Sequence, residues 1–391
     1  MYEKIYLSKK NTFKTISLAI IFLAIIIKQF YYGRSGTLQL GDFLYILPFF
    51  MIILAEKKIV INSIDLNIYI FVFFAIIINI IYYINYLDIK FIYSCLYLVY
   101  NLAIIYIVRF YNLDLYFSKT VLLAAKMVLI AQLIIYFLGE GRYFSYRYMG
   151  TFNDPNQFGY YIFSMLSLIH VNNKFLKNKG IIIWILIASF LIYLSQSTSI
   201  VLGLILFILL YFLYLDNNDK KNKYYIIAGI AFFLIFVVFI LNRSLLYESL
   251  IFQNNRIINK FRNTSGVFDM LYKFAIDRSM TGIILKPSAF LYGSGEGMFL
   301  RFNELSEIHS TFIGFAFYYG LVPFLFFIKW IYKNISNISK DLYCVYISMF
   351  FIAFTLANHR QPTFWMLIVL AYNPLMKQLK RNSEHITKEI V

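Results

Sequence analysis

Long stretches without a single charge constrain this chain more than any other feature. Leu66–Leu87, Phe91–Val108, Tyr224–Asn242 and Ser310–Ile328 are such stretches, and each reaches the roughly 18–20 residues that carry a helix across a bilayer. Only helices and closed barrels satisfy their backbone groups in lipid. These runs are too long and too continuously apolar for barrel strands, which alternate lipid-facing and lumen-facing residues. The expected fold class is therefore all-α, a polytopic integral membrane protein. Composition agrees: the 391 residues are 61% hydrophobic and 14% charged, where a soluble chain carries about a quarter charged residues.

About twelve spans are expected, at 15–32, 40–55, 66–84, 91–108, 120–138, 157–173, 180–196, 198–215, 224–242, 309–328, 342–358 and 363–377. The uncharged run 180–215 is too long for one helix and breaks at Ser195-Gln-Ser-Thr-Ser199. Lys4, Lys9, Lys10 and Lys14 precede the first span, and no small-x-small cleavage site follows it, so a retained helix is expected rather than a signal peptide. The chain reads as one membrane domain, 1–391, with a long loop at 243–308 between the ninth and tenth spans. Cys95 and Cys344 both lie in apolar runs and read as buried thiols.

A net charge of +17 would suggest nucleic acid in a soluble chain. Here it follows from topology, because cytoplasmic loops concentrate Lys and Arg, and no nucleic-acid partner is expected. With both termini cytoplasmic, the inner loops hold nineteen Lys and two Arg, whereas the outer loops hold nine Arg and four Lys. Lysine is the default cation of this Lys-rich chain, which accounts for the inside and leaves the outside to be explained. Arginine's planar fork grips phosphate bidentately, so an anionic, phosphate-bearing ligand is expected on the outer face.

Three stretches could carry chemistry there. In Arg147-Tyr-Met-Gly-Thr-Phe-Asn-Asp-Pro-Asn156, Asp154 and Pro155 read as the cap and first turn of the sixth span. That reading accounts for Asn153, Asp154 and Pro155 but not for Arg147, Asn156 and Gln157. The outward helix start favours anions, so Asn153, Asp154 and Asn156 are substrate-binding candidates beside Arg147. His309 opens the tenth span, where a helix N-terminus disfavours imidazolium and leaves a neutral ring able to accept a proton. Gly293-Ser-Gly-Glu-Gly297 has no βαβ context and reads as a tight turn carrying Glu296 toward the membrane face. Arg256, Arg262 and Arg278 are the loop's candidate phosphate contacts, and spacing does not rank them. No metal-ligand spacing stands out on the outer face, and neither a metal nor another cofactor is expected.

The Arg147…Gly150-Thr-Phe-Asn-Asp-Pro-Asn156 stretch resembles a signature of the O-antigen polymerase and ligase superfamily. The glycine turn at 293–297, followed by His309-Ser310 and then Tyr319-Gly320-Leu321, resembles its second signature. The resemblance spans roughly 140–325. It implies a metal-independent glycosyltransferase of the bacterial inner membrane, acting at the outer leaflet. Its donor and acceptor would be undecaprenyl-diphosphate-linked glycans, and a chain-length regulator protein would be a partner. It also implies that Arg147 and a loop arginine, best matched by Arg278 and next by Arg256, hold the diphosphate, while His309 activates the acceptor hydroxyl. One departure is that the family's Ser-Arg pair is replaced here by Ser195-Gln196, which moves a phosphate contact to Arg142 or Arg360. Polymerase is the favoured member activity. The alternatives are a ligase that transfers the glycan to lipid A-core or protein, and, from another class, a flippase of lipid-linked sugar. A flippase would require charges deep within several spans, whereas Lys28, Asp42 and Lys126 lie near span ends.

Overall fold

The computed structural model describes residues 2–32, 39–56, 61–178, 180–214, 276, 278–304 and 306–372, without the side chains of residues 2–11 and 281. The expected ninth span at 224–242 and the candidates Arg256 and Arg262 lie outside the described residues.

The chain is mostly helical. Eight helices run from the N-terminal side: α1 (Tyr2–Ile27), α2 (Leu40–Glu56), α3 (Leu66–Tyr86), α4 (Lys90–Tyr111), α5 (Leu115–Phe137), α6 (Pro155–Phe175), α7 (Ile182–Ser195) and α8 (Thr198–Leu213). Four more principal helices follow the segment 215–275: α9 (Thr311–Tyr319), α10 (Leu321–Ile335), α11 (Tyr343–Thr355) and α12 (Pro362–Ala371). Helices α3, α4 and α5 are each long and apolar enough to cross a membrane. Large apolar side chains stand on the surface of the bundle, with Phe137 73% and Leu54 70% exposed. Contiguous apolar surface is costly in water, and contact with lipid removes that cost.

The core centres on α6, whose side chains are buried from Phe158 through Asn173. It packs against α5 and α7 and touches α8, α11 and α12. Its start is set by Asp154 and Pro155. The Asp154 carboxylate accepts from the backbone N–H of Asn156 at 2.7 Å and of Gln157 at 3.0 Å, and proline occupies the first turn. Such a cap contributes about 1 kcal/mol.

Three expectations need correction. The first helix occupies Tyr2–Ile27 rather than 15–32, and residues 28–32 leave it as a turn and extended chain. The stretch before α6 is a short antiparallel hairpin, with β1 (Arg142–Phe144) paired to β2 (Arg147–Gly150). The run 309–328 is two helices, because Gly320 adopts φ 79° and ψ 165° between α9 and α10. That conformation is open essentially only to glycine. The space is equally restrictive, since a Cβ on Gly320 would lie 2.9 Å from Gly293 N and Leu291 O. The glycine turn thus packs directly on the break: Ser294 N and Gly295 N both donate to the Tyr318 carbonyl, at 2.9 and 2.8 Å.

Candidate functional site

A cavity of about 610 Å³ lies where α4, α6 and α8 begin and where the chain enters α9 and α12. Arg147, Arg278, His309 and Arg360 all line it, together with Asp154 and Asn156. Residues 131 and 162 positions beyond Arg147 in sequence are thereby gathered at one place.

Arg147 sits on β2 and is 5% exposed. Its Nε donates to the Ser195 carbonyl at 3.0 Å, at the end of α7 where carbonyls lack helical partners, and Nη2 donates to Asn156 Oδ1 at 2.9 Å. Asn156 Oδ1 also accepts from the Ser197 hydroxyl at 2.8 Å. Ser197 is the N-cap of α8, yet its hydroxyl makes no capping bond to that helix. With the usual capping group turned toward Asn156, no Ser197 side-chain bond caps α8, and such a helix start favours anions.

Arg278 reaches the same place from the long loop. Its Nη2 donates to Ser199 Oγ at 2.7 Å, in the first turn of α8, and its Nη1 donates to the Thr355 carbonyl. Arg278 thus brings a guanidinium to the start of α8, beside the segment Ser195–Ser199, which carries no arginine of its own. Arg142 instead ties the hairpin down, donating to the Tyr31 carbonyl at 3.0 Å and to Asn153 Oδ1 at 2.7 Å. Neither Arg142 nor Asn153 lines the cavity.

His309 lies in the loop just before α9, whose N-cap is Ser310, accepting from Ile313 N at 3.2 Å. The His309 N–H donates to the Arg278 carbonyl at 2.9 Å, which fixes these two residues side by side. Burial lowers the pKa of the imidazole; the Glu307 carboxylate opposes that shift and Arg278 reinforces it. The balance favours a neutral ring facing the cavity.

Glu296 does not line the cavity. It is 2% exposed, accepting from Arg360 Nη2 at 2.7 Å and from the Tyr319 hydroxyl at 2.6 Å, with His359 Nε2 3.3 Å away. The expected turn toward the membrane face is a plug into the bundle. Glu296 N donates to Asn79 Oδ1 on α3 at 2.8 Å, and its carbonyl accepts from Ser94 Oγ on α4 at 3.0 Å. Against the expectation of no metal-ligand grouping, Glu296, Glu307 and His359 bring ligand-type atoms within 4.8 Å of one another. The Arg360 guanidinium pairs with both carboxylates and supplies the positive charge at that cluster.

Sequence reasoning missed the rest of the wall. Lys28 and Lys90 line the cavity, as do Tyr97, Glu307, Asn358 and Gln361. Lys28 is held by Asp42 through both carboxylate oxygens at 2.7 and 2.6 Å, with the Tyr100 hydroxyl donating to the same aspartate at 3.0 Å. The only sequence signal for Glu307 is its place two residues before His309.

Compared with models of known protein families and with curated proteins, the chain matches none.

Proposed function

We propose that this chain is a glycosyltransferase that joins undecaprenyl-diphosphate-linked oligosaccharide repeat units at the outer leaflet of a bacterial inner membrane. The reading carries with it the twelve-span topology, with both termini cytoplasmic and the cavity outward. The observation that supports it is the convergence of Arg147, Arg278 and His309 on one cavity that also holds the start of α8. A volume of about 610 Å³ suits a diphosphate and the sugars next to it.

The chemistry follows from these groups. Arg147, Arg278 and the N–H groups of α8 hold the donor diphosphate. The acceptor sugar's hydroxyl gives its proton to neutral His309 as its oxygen attacks the donor's anomeric carbon. The bond from that carbon to the diphosphate oxygen breaks, and the lipid diphosphate leaves with its added charge stabilised by the two guanidinium groups. Arginine, rather than a metal ion, supplies the positive charge. A single displacement of this kind inverts the anomeric centre.

Deleting the gene in its host and resolving the surface glycan on a gel tests the proposal. A single repeat unit on the core is the expected result. Complete loss of glycan from the core, with lipid-linked polymer accumulating, identifies a ligase instead. An unchanged ladder refutes both.

A further inference from the structure

Another wall of the cavity has a different chemistry from the Arg147–Arg278 wall. Arg360 is shared between Glu296 at 2.7 Å and Glu307, so one guanidinium meets two carboxylates. Lys28, on the same cavity, is matched by Asp42 at 2.6 Å. A phosphate gains little from cations so closely matched, whereas the Glu307 carboxylate stands at the wall with its side chain 17% exposed.

Two further groups flank Arg360. Asn358 and Gln361 line the cavity and are 3% and 8% exposed. Asn358 Nδ2 and Gln361 Oε1 are buried without a hydrogen-bond partner among the described residues. Native proteins rarely leave buried donors and acceptors unmet, and at a cavity wall such groups are met by water or by a ligand. The Tyr97 ring lies 5.5 Å from the Arg360 guanidinium carbon and also lines the cavity. A carboxylate acceptor, an amide donor, an amide acceptor and an aromatic face together suit a ligand rich in hydroxyl groups.

We propose that Glu307, held by Arg360 and through it by Glu296, binds the acceptor sugar's hydroxyl groups beside His309. The cavity then has a phosphate end at Arg147 and Arg278 and a sugar end at Glu307. This rests on the glycosyltransferase reading and adds to it the acceptor subsite and its polarity. Glu307 is the substrate-binding group. Glu296 is a positioning residue, since it reaches the cavity only through Arg360. The register follows from the chain: only Ile308 separates Glu307 from His309 and both line the cavity, so a hydroxyl accepted by Glu307 lies beside the proton acceptor.

The test uses the purified full chain in lipid nanodiscs and two probes, followed by calorimetry. One is inorganic pyrophosphate. The other is the oligosaccharide released by mild acid from the lipid-linked pool of a strain lacking the gene. Wild type binds both. Glu307→Gln is expected to weaken oligosaccharide binding at least about tenfold, as loss of a charge-assisted hydrogen bond implies, and to leave pyrophosphate binding unchanged. Glu296→Gln gives the same one-sided loss, and Arg147→Ala the opposite one. Should a glutamate variant fail to reach the membrane, Tyr97→Leu is expected to show the same loss of oligosaccharide alone. Unchanged oligosaccharide binding in Glu307→Gln, or equal loss of both probes, overturns the proposal. A wild type that binds pyrophosphate but not the oligosaccharide overturns the sugar end alone, and one that binds neither overturns the glycosyltransferase reading with it.

Discussion

Replacing Arg147 by lysine isolates the guanidinium fork from its charge. Arg147 uses two nitrogens in two directions at once, Nε to the Ser195 carbonyl and Nη2 to Asn156 Oδ1. Lysine keeps the positive charge but ends in one compact ammonium on a flexible stem, which cannot span both acceptors while still facing the cavity. At least one charge-assisted hydrogen bond is lost, about 1.5–3 kcal/mol. If that bond fixes the cation against the transition-state charge, the whole of it appears in the rate, a fall of roughly 10- to 150-fold. The assay is the surface-glycan ladder of a deletion strain complemented with Arg147→Lys, normalised to the variant's membrane level, with wild type and Arg147→Ala as limits. A short or absent ladder at normal protein level is expected. A wild-type ladder from Arg147→Lys would show that only charge matters there, and one from Arg147→Ala would remove Arg147 from the site altogether.

Two more outcomes follow from other parts of the molecule. Burial lowers the pKa of His309, so the neutral base persists to lower pH than in a free histidine and is lost as pH falls through the lowered value. The rate in membranes should therefore fall on the acid side with a midpoint below 6.5, and Glu307→Gln, which removes a carboxylate that raises this pKa, should move the midpoint lower still. A midpoint above 6.5 refutes the assignment. Asp65 accepts from Arg109 Nε and Nη2 at 2.8 Å each and from Trp330 Nε1 at 2.8 Å. Asp65→Asn leaves the Arg109 charge largely buried without its carboxylate, costing about 3–5 kcal/mol, and should lower the thermal unfolding midpoint of the detergent-solubilised protein by several degrees.

Local signals survived the passage from sequence to structure better than long-range ones. Asp154 and Pro155 start α6 as their chemistry requires, because a cap needs only its own neighbours. The lengths of α2 and α3 follow hydropathy within a few residues. The break at Gly320 was hidden because hydropathy registers side chains and not backbone dihedrals, and Phe, Tyr and Leu run on both sides of it. The candidate site was partly legible, since Arg147, Arg278 and His309 are residue types suited to a diphosphate and an acceptor hydroxyl. What placed Glu296 behind the cavity is a partner 64 positions away, and what matched Lys28 is an aspartate across the α1–α2 connection. No local residue pattern marks either pairing.

The Arg109–Asp65–Trp330 cluster has a mechanical consequence. Lys90 and Tyr97 of α4 line the cavity, whereas Arg109 stands about 28 Å beyond Lys90 and about 18 Å beyond Tyr97 along the same helix, at 1.5 Å per residue. There its guanidinium joins Asp65 at the start of α3 to Asn334 near the end of α10, the latter at 2.7 Å. The three helices are fastened together at that level, and of them α4 alone runs on to the cavity wall. Any tilt of α4 that keeps the fastening intact must turn about it. A small rotation there is magnified along α4, more at Lys90 than at Tyr97, and moves that part of the cavity wall.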